Sequence, residues 1–340
     1  MPSTRAFTDK CRIFAAEKTM ATFPFQTTDF PIFLAPMEAV TDAAFRRLCK
    51  SFGADVLISE FISSDALVRD IVDSQRKMLF EENERPFGIQ IFGHNEESLR
   101  GAAEIAEACR PDFIDINWGC PVKKIVTKGA GAGILRDIPR MIELTSAVVK
   151  SVKVPVTVKT RLGWDESSKP IVEVAEMLQD IGIQMLTIHG RTRSQMYSGT
   201  ADWTLIGKIK ENTRMRIPIV GNGDINSGEK AKTYRERYGV DGVMVGRAAI
   251  GNPFIFTEIK QYLAGEEIPT FSYEKRVEIC LKHLRDAVMV KGERTAVLEM
   301  RRHYAAYFRG VPNFKEKKVK LMLAQTLAEC EAVFSNCQTA

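Results

Sequence analysis

The sequence has few histidines and no regular cysteine pattern, and these absences exclude several kinds of site. Its 340 residues include four histidines and seven cysteines. No HExxH segment occurs and no two cysteines have CxxC spacing, so we expect no metal site. An odd number of scattered cysteines argues for a reducing compartment rather than for a disulfide framework.

Long apolar runs are also missing. The apolar stretches have the length of strands and are interrupted by charged residues, which predicts no transmembrane helix. The first thirty residues have no continuous apolar core like that of a signal peptide. Because 45% of the residues are apolar, the chain can bury a sizeable core. We therefore expect a soluble cytoplasmic enzyme that does not associate with membranes.

Positive charge is concentrated at the C-terminal end. Residues 272–340 contain 13 of the 48 Lys and Arg residues but only 8 of the 43 Asp and Glu residues, so the whole net charge of +5 lies there. The cluster consists of Arg301, Arg302, Arg309, Lys315, Lys317, Lys318 and Lys320. Such a cluster is either a solvated helix face or a contact surface for a phosphate backbone.

Short apolar or β-branched runs recur along the chain, each followed by a turn and a segment with helical spacing. The runs are 31–35, 54–59, 87–92, 113–117, 154–159, 185–189, 217–221 and 242–246. Their centres are roughly 25 to 40 residues apart, about the length of one strand–helix unit. Eight such units predict an α/β fold, an eight-stranded β/α (TIM) barrel, over residues 27–264. The helical spacing after this segment predicts a separate bundle of three or four helices over 271–336. Residues 1–26 are predicted to be an N-terminal extension, poorly packed over 1–19.

Active sites of such barrels lie at the C-terminal ends of the strands, and the predicted strands end in a coherent polar set. Its members are Pro36, Met37, Glu38, Gln90, Asn117, Cys120, Lys159, His189, Arg191, Asn222, Gly223, Asp224, Gly246 and Arg247. The last two strands end in glycine-flanked turns, where barrels commonly bind phosphate through backbone N–H groups. Amide side chains and a lysine suit a flat hydrogen-bonding ring. The set therefore predicts flavin mononucleotide (FMN), although each residue singly also fits a hydrogen bond within the barrel.

Cys120 is the candidate reacting group. It follows an apolar strand that breaks into a Gly/Pro turn, in the segment 115–121 (Asp-Ile-Asn-Trp-Gly-Cys-Pro). A cysteine is also among the residues most often buried for packing alone. Its position among the other strand ends favours chemistry over packing.

The sequence resembles the tRNA-dihydrouridine synthases across nearly its whole length. The matching segments are 35–37, 40–42, 45–46, 90–93, 115–124, 159–161, 188–193, 221–225 and 246–248. The turn 119–124 is most similar to a bacterial subgroup in which alanine is common at the position of Val122. Trp118 departs from the smaller or sulfur-containing residues often found at its position.

The resemblance implies FMN-dependent reduction of specific tRNA uridines to 5,6-dihydrouridine, with NADPH or NADH as the reductant. It implies that FMN binds to Pro36, Met37, Glu38, Gln90, Lys159, Asn222, Gly223, Asp224, Gly246 and Arg247, with Asn117 and His189 beside it. Cys120 matches the general acid that protonates C5 of the uracil while hydride reaches C6. An unperturbed thiol, with a pKa of about 8.5, is mostly protonated at neutral pH and can serve as that donor.

Within this resemblance the basic helical tail is expected to bind tRNA through its backbone and shape. Arg301, Arg302 and Lys317 are the candidate contacts in the tail. Arg191 and Arg193, near the barrel opening, are candidate contacts for the substrate strand, and a surface salt bridge is the other role considered for both. Two rival functions remain. One is an FMN-dependent barrel acting on a free dihydropyrimidine-type molecule, and the other is a tRNA-binding module whose redox chemistry is dispensable.

Overall fold

The computed structural model describes residues 28–335, which form a closed parallel barrel followed by a helical tail. The barrel strands are β1 (Ile32–Leu34), β2 (Leu57–Ile58), β4 (Phe87–Phe92), β5 (Phe113–Asn117), β6 (Val156–Arg161), β7 (Leu186–His189), β8 (Ile219–Asn222) and β9 (Gly242–Val245). Their order is β1-β9-β8-β7-β6-β5-β4-β2, with all pairs parallel. A bridge between Phe33 and Val56 joins β1 to β2 and closes the ring. The predicted TIM barrel is confirmed, since each of the eight predicted runs overlaps one of these strands, although β6 and β8 end two residues and one residue beyond their runs.

One short strand was not predicted. Strand β3 (Ile62–Ser63) pairs with the C-terminal part of β4, through Ile62 with Ile91 and Ser63 with Phe92. It has only two residues, too few for an alternating pattern to show in the sequence.

Helices cover the outside of the barrel. They are α1 (Ala43–Ser51), α2 (Ser64–Leu67), α3 (Val72–Arg76), α4 (Glu96–Ala108), α5 (Lys123–Val126), α6 (Ile138–Ser151), α7 (Ile171–Asp180), α8 (Thr204–Glu211), α9 (Gly228–Tyr238) and α10 (Ile255–Ala264). Side-chain caps fix where several of them begin. Asn95 Oδ1 accepts from Ser98 N at 3.0 Å, and Ser227 Oγ accepts from Lys230 N at 3.2 Å. Each cap satisfies one backbone donor that the first helical turn leaves free.

The buried apolar side chains of the strands form two separate clusters, one on each face of the sheet. In β1, Ile32 and Leu34 pack in the large core between sheet and helices, whereas Phe33 between them belongs to a smaller cluster with Val56 and Met244. Successive strand residues point to opposite faces, so this smaller cluster fills the barrel interior. The filled interior makes the barrel a rigid support for the residues at its ends.

Within the described residues the tail consists of four helices, the first two of which contact α1. They are α11 (Tyr273–Lys291), α12 (Glu293–Tyr307), α13 (Phe314–Leu323) and α14 (Leu327–Ser335). The ring of Phe45 lies 5.1 Å from that of His283 and 5.0 Å from that of His303. Burial lowers the pKa of both histidines, to about 4 for His283, so both are neutral in this packing. Lys291 also forms an ion pair with Asp42, the N-cap of α1.

The division into a barrel and a separate helical domain stays a prediction, because the apolar core runs across this junction. The predicted extension over 1–26 lies outside the described residues. Within the part of the chain that the structure describes, no helix is long and apolar enough to cross a membrane.

Candidate active site

The register of the parallel strands brings the predicted polar residues together at one opening. Asn117 of β5 pairs with Lys159 of β6, and His189 of β7 pairs with Asn222 of β8. All eight strands run in the same direction, so their C-terminal ends meet at the same end of the barrel. The structure therefore clusters the residues that end β5, β6, β7 and β8.

A buried hydrogen-bond relay orients the amide side chains. The carboxylate of Asp115 is fully buried, and its Oδ2 accepts from Gln90 Nε2 at 2.6 Å. Gln90 Oε1 in turn accepts from Asn117 Nδ2 at 2.8 Å. Because an ionised carboxylate only accepts, Asp115 determines which end of the Gln90 amide donates, and thereby which way Asn117 faces. Within the described residues, each amide nitrogen donates one hydrogen bond and has a second N–H without a protein partner.

Asp115 has a second partner and an altered pKa. Thr157 Oγ1 donates to its Oδ1 at 2.5 Å. Burial raises the pKa of Asp115 to about 6, although hydrogen bonds from Gln90 and Thr157 and the positive charge of Lys159 oppose the rise. The carboxyl is therefore mostly ionised at neutral pH, as the relay requires.

The relay continues into the turn that carries Cys120. Asn117 Oδ1 accepts from Gly119 N at 2.9 Å and from Cys120 N at 2.8 Å. On the other side of the turn, Arg161 Nε donates to Gly119 O at 2.7 Å. Cys120 is 7% exposed. Burial raises its pKa above the ordinary value, so it is protonated at neutral pH.

Lys159 is a second group whose protonation the site controls. Its Nζ donates to Asn222 Oδ1 at 3.3 Å. Burial lowers the pKa of Lys159 to about 8, an effect that Arg161 increases and that Asp115 and Cys120 oppose. His189 is neutral, because burial and the neighbouring cations, Arg161 foremost, hold its pKa well below the usual value. The site thus contains one ammonium close to its titration point and one neutral imidazole.

The turn after β8 places a carboxylate between two arginines. Gly223 and Asp224 have φ angles of 122° and 58°, and this sharp turn favours glycine at the first position. Asp224 Oδ2 accepts from Arg191 Nη2 at 2.8 Å and from Ala201 N at 2.8 Å. Its Oδ1 accepts from Arg247 Nη2 at 3.1 Å. Asp224 therefore holds the half-exposed Arg247 at the opening.

The connection after β1 forms another side of the opening. Pro36 and Met37 are half-buried, and Met37 N donates to Thr41 Oγ1 at 2.9 Å. The exposed Glu38 pairs with Lys77 at 2.5 Å. A Cβ built on Gly246 would lie 4.0 Å from the Met37 sulfur, so the ends of β1 and β9 adjoin.

The two arginines predicted to contact the substrate strand have different surroundings. Arg191 is 1% exposed, and besides Asp224 it donates to the carbonyl oxygens of Ser198 and Gly199. Arg193 is half-buried and its guanidinium lies over the Trp164 ring, 4.7 Å from the centroid. The geometry therefore supports a positioning role for Arg191, and an RNA contact stays a proposal for Arg193.

The three predicted tail contacts are held by other parts of the protein. Arg301 Nη2 donates to Ala324 O at 3.1 Å. Arg302 Nη1 donates to Ala39 O, in the connection after β1, at 2.7 Å. Lys317 Nζ donates to the Tyr273 hydroxyl at 3.0 Å. Sequence reasoning could not separate these bonded cations from the exposed ones nearby.

Sequence reasoning also missed two positioning residues, Asp115 and Arg161. Asp115 interrupts the apolar run 113–117, and Arg161 ends the segment 156–161, in which polar and apolar residues are mixed. A buried charge requires a partner, and this was the signal that could have identified them. Arg161 joins the Cys120 turn to the connection after β7, where its Nη1 donates to Thr192 O at 3.0 Å and to Met196 O at 2.8 Å.

Comparison with solved structures shows the same fold in distant oxidoreductases. A histamine dehydrogenase from Rhizobium sp. 4-9 matches with a TM-score of 0.50 and 14% identity, over 76% of this chain and 49% of that protein. A morphinone reductase variant in complex with tetrahydroNAD matches with a TM-score of 0.50 and 12% identity, over 72% of this chain and 89% of that protein.

Comparison with curated sequences and family models is more specific. A probable tRNA-dihydrouridine synthase of Rickettsia bellii is 42% identical over 84% of this chain and 87% of its own length. The tRNA-dihydrouridine synthase B of Pseudomonas aeruginosa is 39% identical over 89% of this chain and 91% of its own length. The family model described as dihydrouridine synthase (Dus) matches residues 33–339. With its barrel and its strand-end thiol, the chain belongs to the dihydrouridine synthase family, whose members are flavin-dependent oxidoreductases.

Proposed function

We propose that this protein reduces uridines of tRNA to 5,6-dihydrouridine, with a bound FMN and with NADPH as the reductant. The observation that carries the proposal is Cys120, a protonated thiol at the barrel opening that a hydrogen-bonded turn holds beside Asn117 and Lys159. Protonation of a carbon needs an acid that retains its proton at neutral pH, and this buried thiol does so. The names of the related proteins support tRNA as the substrate.

The residues at the opening fit a flavin. Gln90 and Asn117 each have an uncommitted N–H, and Lys159 adds a cation, which suits a ring bearing carbonyl oxygens and nitrogen acceptors. Arg247 is the candidate partner of the FMN phosphate, together with the backbone of Gly223 and Gly246. Pro36, Met37, Glu38, His189, Asn222 and Asp224 complete the proposed cofactor site.

The chemistry divides between cofactor and protein. When bound, a reduced flavin would supply the hydride equivalent for C6 of the uracil. Cys120 Sγ gives its proton to C5, so that the C5–C6 double bond becomes a single bond and the thiolate must be reprotonated before the next turnover. Asn117 fixes the Cys120 backbone, and the donors of the site hold the base flat. Because a base in folded RNA is stacked, the target uridine must be extruded to reach this opening.

The direct test incubates the purified full-length protein with an unmodified tRNA transcript and NADPH, and measures dihydrouridine by mass spectrometry of nucleosides. We expect dihydrouridine in the tRNA and none when free uracil or uridine replaces it. Reduction of the free bases alone would favour the small-molecule alternative. Binding of tRNA with no reduction would favour the binding module.

Reversing the charge of Arg247 should weaken flavin retention. In Arg247→Glu a carboxylate replaces a charge-assisted donor near the proposed phosphate, and it also faces Asp224. We expect FMN affinity to fall by about tenfold to a hundredfold, measured by flavin fluorescence on release. The matched control is Arg235→Glu, since Arg235 is exposed and stacks on Phe30, which precedes β1 at the opposite end of the barrel. Equal retention in both variants would remove Arg247 from the phosphate site.

The alkaline limit of the reaction should be set by Lys159 and not by the thiol. Raising the pH removes the Lys159 proton first, because burial lowers the pKa of Lys159 to about 8 whereas it raises the pKa of Cys120 above the ordinary value of a thiol. Uridine reduction should therefore decline as the pH rises through about 8. Single-turnover rates at saturating tRNA measure this limit. A rate that stays constant until the thiol ionises would contradict the assignment.

Replacing Asp115 with asparagine should shift that alkaline limit to lower pH. The carboxylate stabilises the ammonium of Lys159, so its loss lowers the pKa of Lys159 further. An asparagine can also present either end to Gln90, which removes the fixed direction of the relay. We expect a slower reaction with an earlier alkaline decline. The control Thr157→Val removes one hydrogen bond and keeps the charge, so it should leave the limit nearly in place.

A further inference from the structure

The barrel opening carries a second cationic surface, centred on Trp164 and far from the tail. Trp164 follows β6, in the connection to α7. The guanidinium of Arg136 lies 3.6 Å from the centroid of its ring, and that of Arg193 lies 4.7 Å from it. Arg136 precedes α6 and Arg193 follows β7, so the connections after three neighbouring strands, β5, β6 and β7, build one cluster. We call Arg136, Trp164 and Arg193 the indole clamp.

Among the residues that the structure describes, the arginines of the indole clamp have no anionic partner. Over residues 28–335, neither guanidinium forms an ion pair, and Arg193 Nε is a buried polar atom without a hydrogen-bond partner. The carboxylates nearby are engaged elsewhere: Asp165 accepts from Ser167, and Glu166 pairs with Lys169. Both guanidiniums stack on the same indole ring and retain donors without an anionic partner among the described residues, which is an arrangement that an oxyanion such as a phosphate satisfies.

The segments next to the indole clamp are rich in basic residues and poor in acidic ones. The segment 118–136, between Cys120 and the clamp, contains three lysines and Arg136 and no acidic residue. The lysines are Lys123, Lys124 and Lys128, all exposed. On the other side, the segment 190–201 contains no acidic residue. It also carries the exposed ring of Tyr197, which lies 5.3 Å from the Arg247 guanidinium. Cations interleaved with exposed aromatic rings are typical of surfaces that bind single-stranded nucleic acid.

Barrel topology places the clamp opposite the tail. In the closed ring, β6 is four strands from β1 in either direction. The tail reaches the opening through the connection after β1, where Arg302 bonds to Ala39 O and Lys291 pairs with Asp42. Trp164 follows β6. A ligand that touches both the tail and the clamp therefore crosses the opening at which Cys120 lies.

We propose that the indole clamp binds a backbone phosphate of the RNA substrate on the far side of the opening from the tail. This inference rests on the proposed function, because it takes tRNA as the ligand. Contacts on both sides of Cys120 would hold the RNA strand extended across the barrel opening. They would thereby position the extruded uridine at the active site. Trp164 keeps the two guanidiniums in place, and its own half-buried ring lies beside the bound strand.

The test measures tRNA binding by the full-length protein at several salt concentrations. With an unmodified transcript, Arg136→Gln plus Arg193→Gln should weaken binding by about tenfold and reduce the slope of log K against log salt by about one, as expected for one lost phosphate contact. Trp164→Phe keeps an aromatic support and should bind almost normally. The control Arg235→Gln removes an exposed, ring-stacked arginine at the opposite end of the barrel and should change neither quantity.

Fluorescence supplies a second readout. Trp118 and Trp203 are buried in the core, so the tRNA-dependent change in tryptophan emission should come from Trp164 and disappear in Trp164→Phe. Wild-type affinity and slope in the double variant would overturn the proposal. If the double variant is poorly folded, Arg136→Gln alone decides, since Arg136 is exposed, and it should still flatten the salt dependence. Reduction of the bound flavin by NADPH should be normal in all of these variants, which separates failure of the clamp from failure of the proposed function.

Discussion

Cys120→Ala should accept electrons from NADPH at nearly the wild-type rate and yet form almost no dihydrouridine. Reduction of the flavin needs no proton from the thiol, whereas saturation of the uracil needs a proton at C5. Loss of a general acid typically costs about a hundredfold to ten-thousandfold in rate. The measurements are flavin bleaching in a stopped-flow instrument and dihydrouridine in tRNA after a single turnover.

Two further variants identify what the Cys120 substitution removes. Cys49→Ala deletes a fully buried thiol of α1 and should leave both half-reactions intact. Cys120→Ser keeps a polar group of similar size, but a hydroxyl is a much weaker acid, so product formation should stay low. Equal losses of flavin reduction and product in Cys120→Ala would mean that the thiol supports the cofactor site. Undiminished product would exclude an acid role.

The sequence was sufficient for the barrel because each strand is an apolar run followed by a turn. The run 113–117 became β5 with the same bounds. Parallel topology then places all strand ends at one opening, so the grouping of Asn117, Lys159 and His189 followed from chain order alone. The end of a strand was harder to predict from the sequence where the strand includes a polar side chain. Strand β6 extends to Arg161, two residues beyond its predicted end, because the Arg161 guanidinium is satisfied by carbonyl oxygens of two connections.

Contacts between distant segments could not be predicted. The ion pair of Asp42 with Lys291 and the bond of Arg302 to Ala39 join segments about 250 residues apart, and no local pattern encodes such partners. The same limit applies to Arg191, whose position beside Arg193 suggested a shared role. One is buried against Asp224 and the other stacks on Trp164.

The predicted binding of tRNA by the tail also depends on which of its basic side chains are not already bonded to other parts of the protein. Arg301, Arg302 and Lys317 hold Ala324, Ala39 and Tyr273, so reversing their charge would disturb packing as well as any RNA contact. Lys315, Lys318 and Lys320 of α13 are exposed. Over residues 28–335, these three lysines form no ion pair within 4.0 Å. Substituting these three lysines therefore tests whether the tail binds tRNA without disturbing the packing of the tail.

Reversing Lys315, Lys318 and Lys320 to glutamate should weaken tRNA binding by about a hundredfold and lower the salt slope by about two to three, if each contacts a phosphate. The loss should be similar for tRNAs of different sequence, because phosphate contacts carry no base information. The control reverses Lys275 and Lys282 of α11, which already pair with Glu278 and Asp286, and should change the slope much less. An unchanged slope in the α13 variant would show that this face is only solvated, and would leave the indole clamp as the main cationic contact for RNA. A loss confined to one tRNA would instead indicate that α13 reads the shape or bases of that molecule.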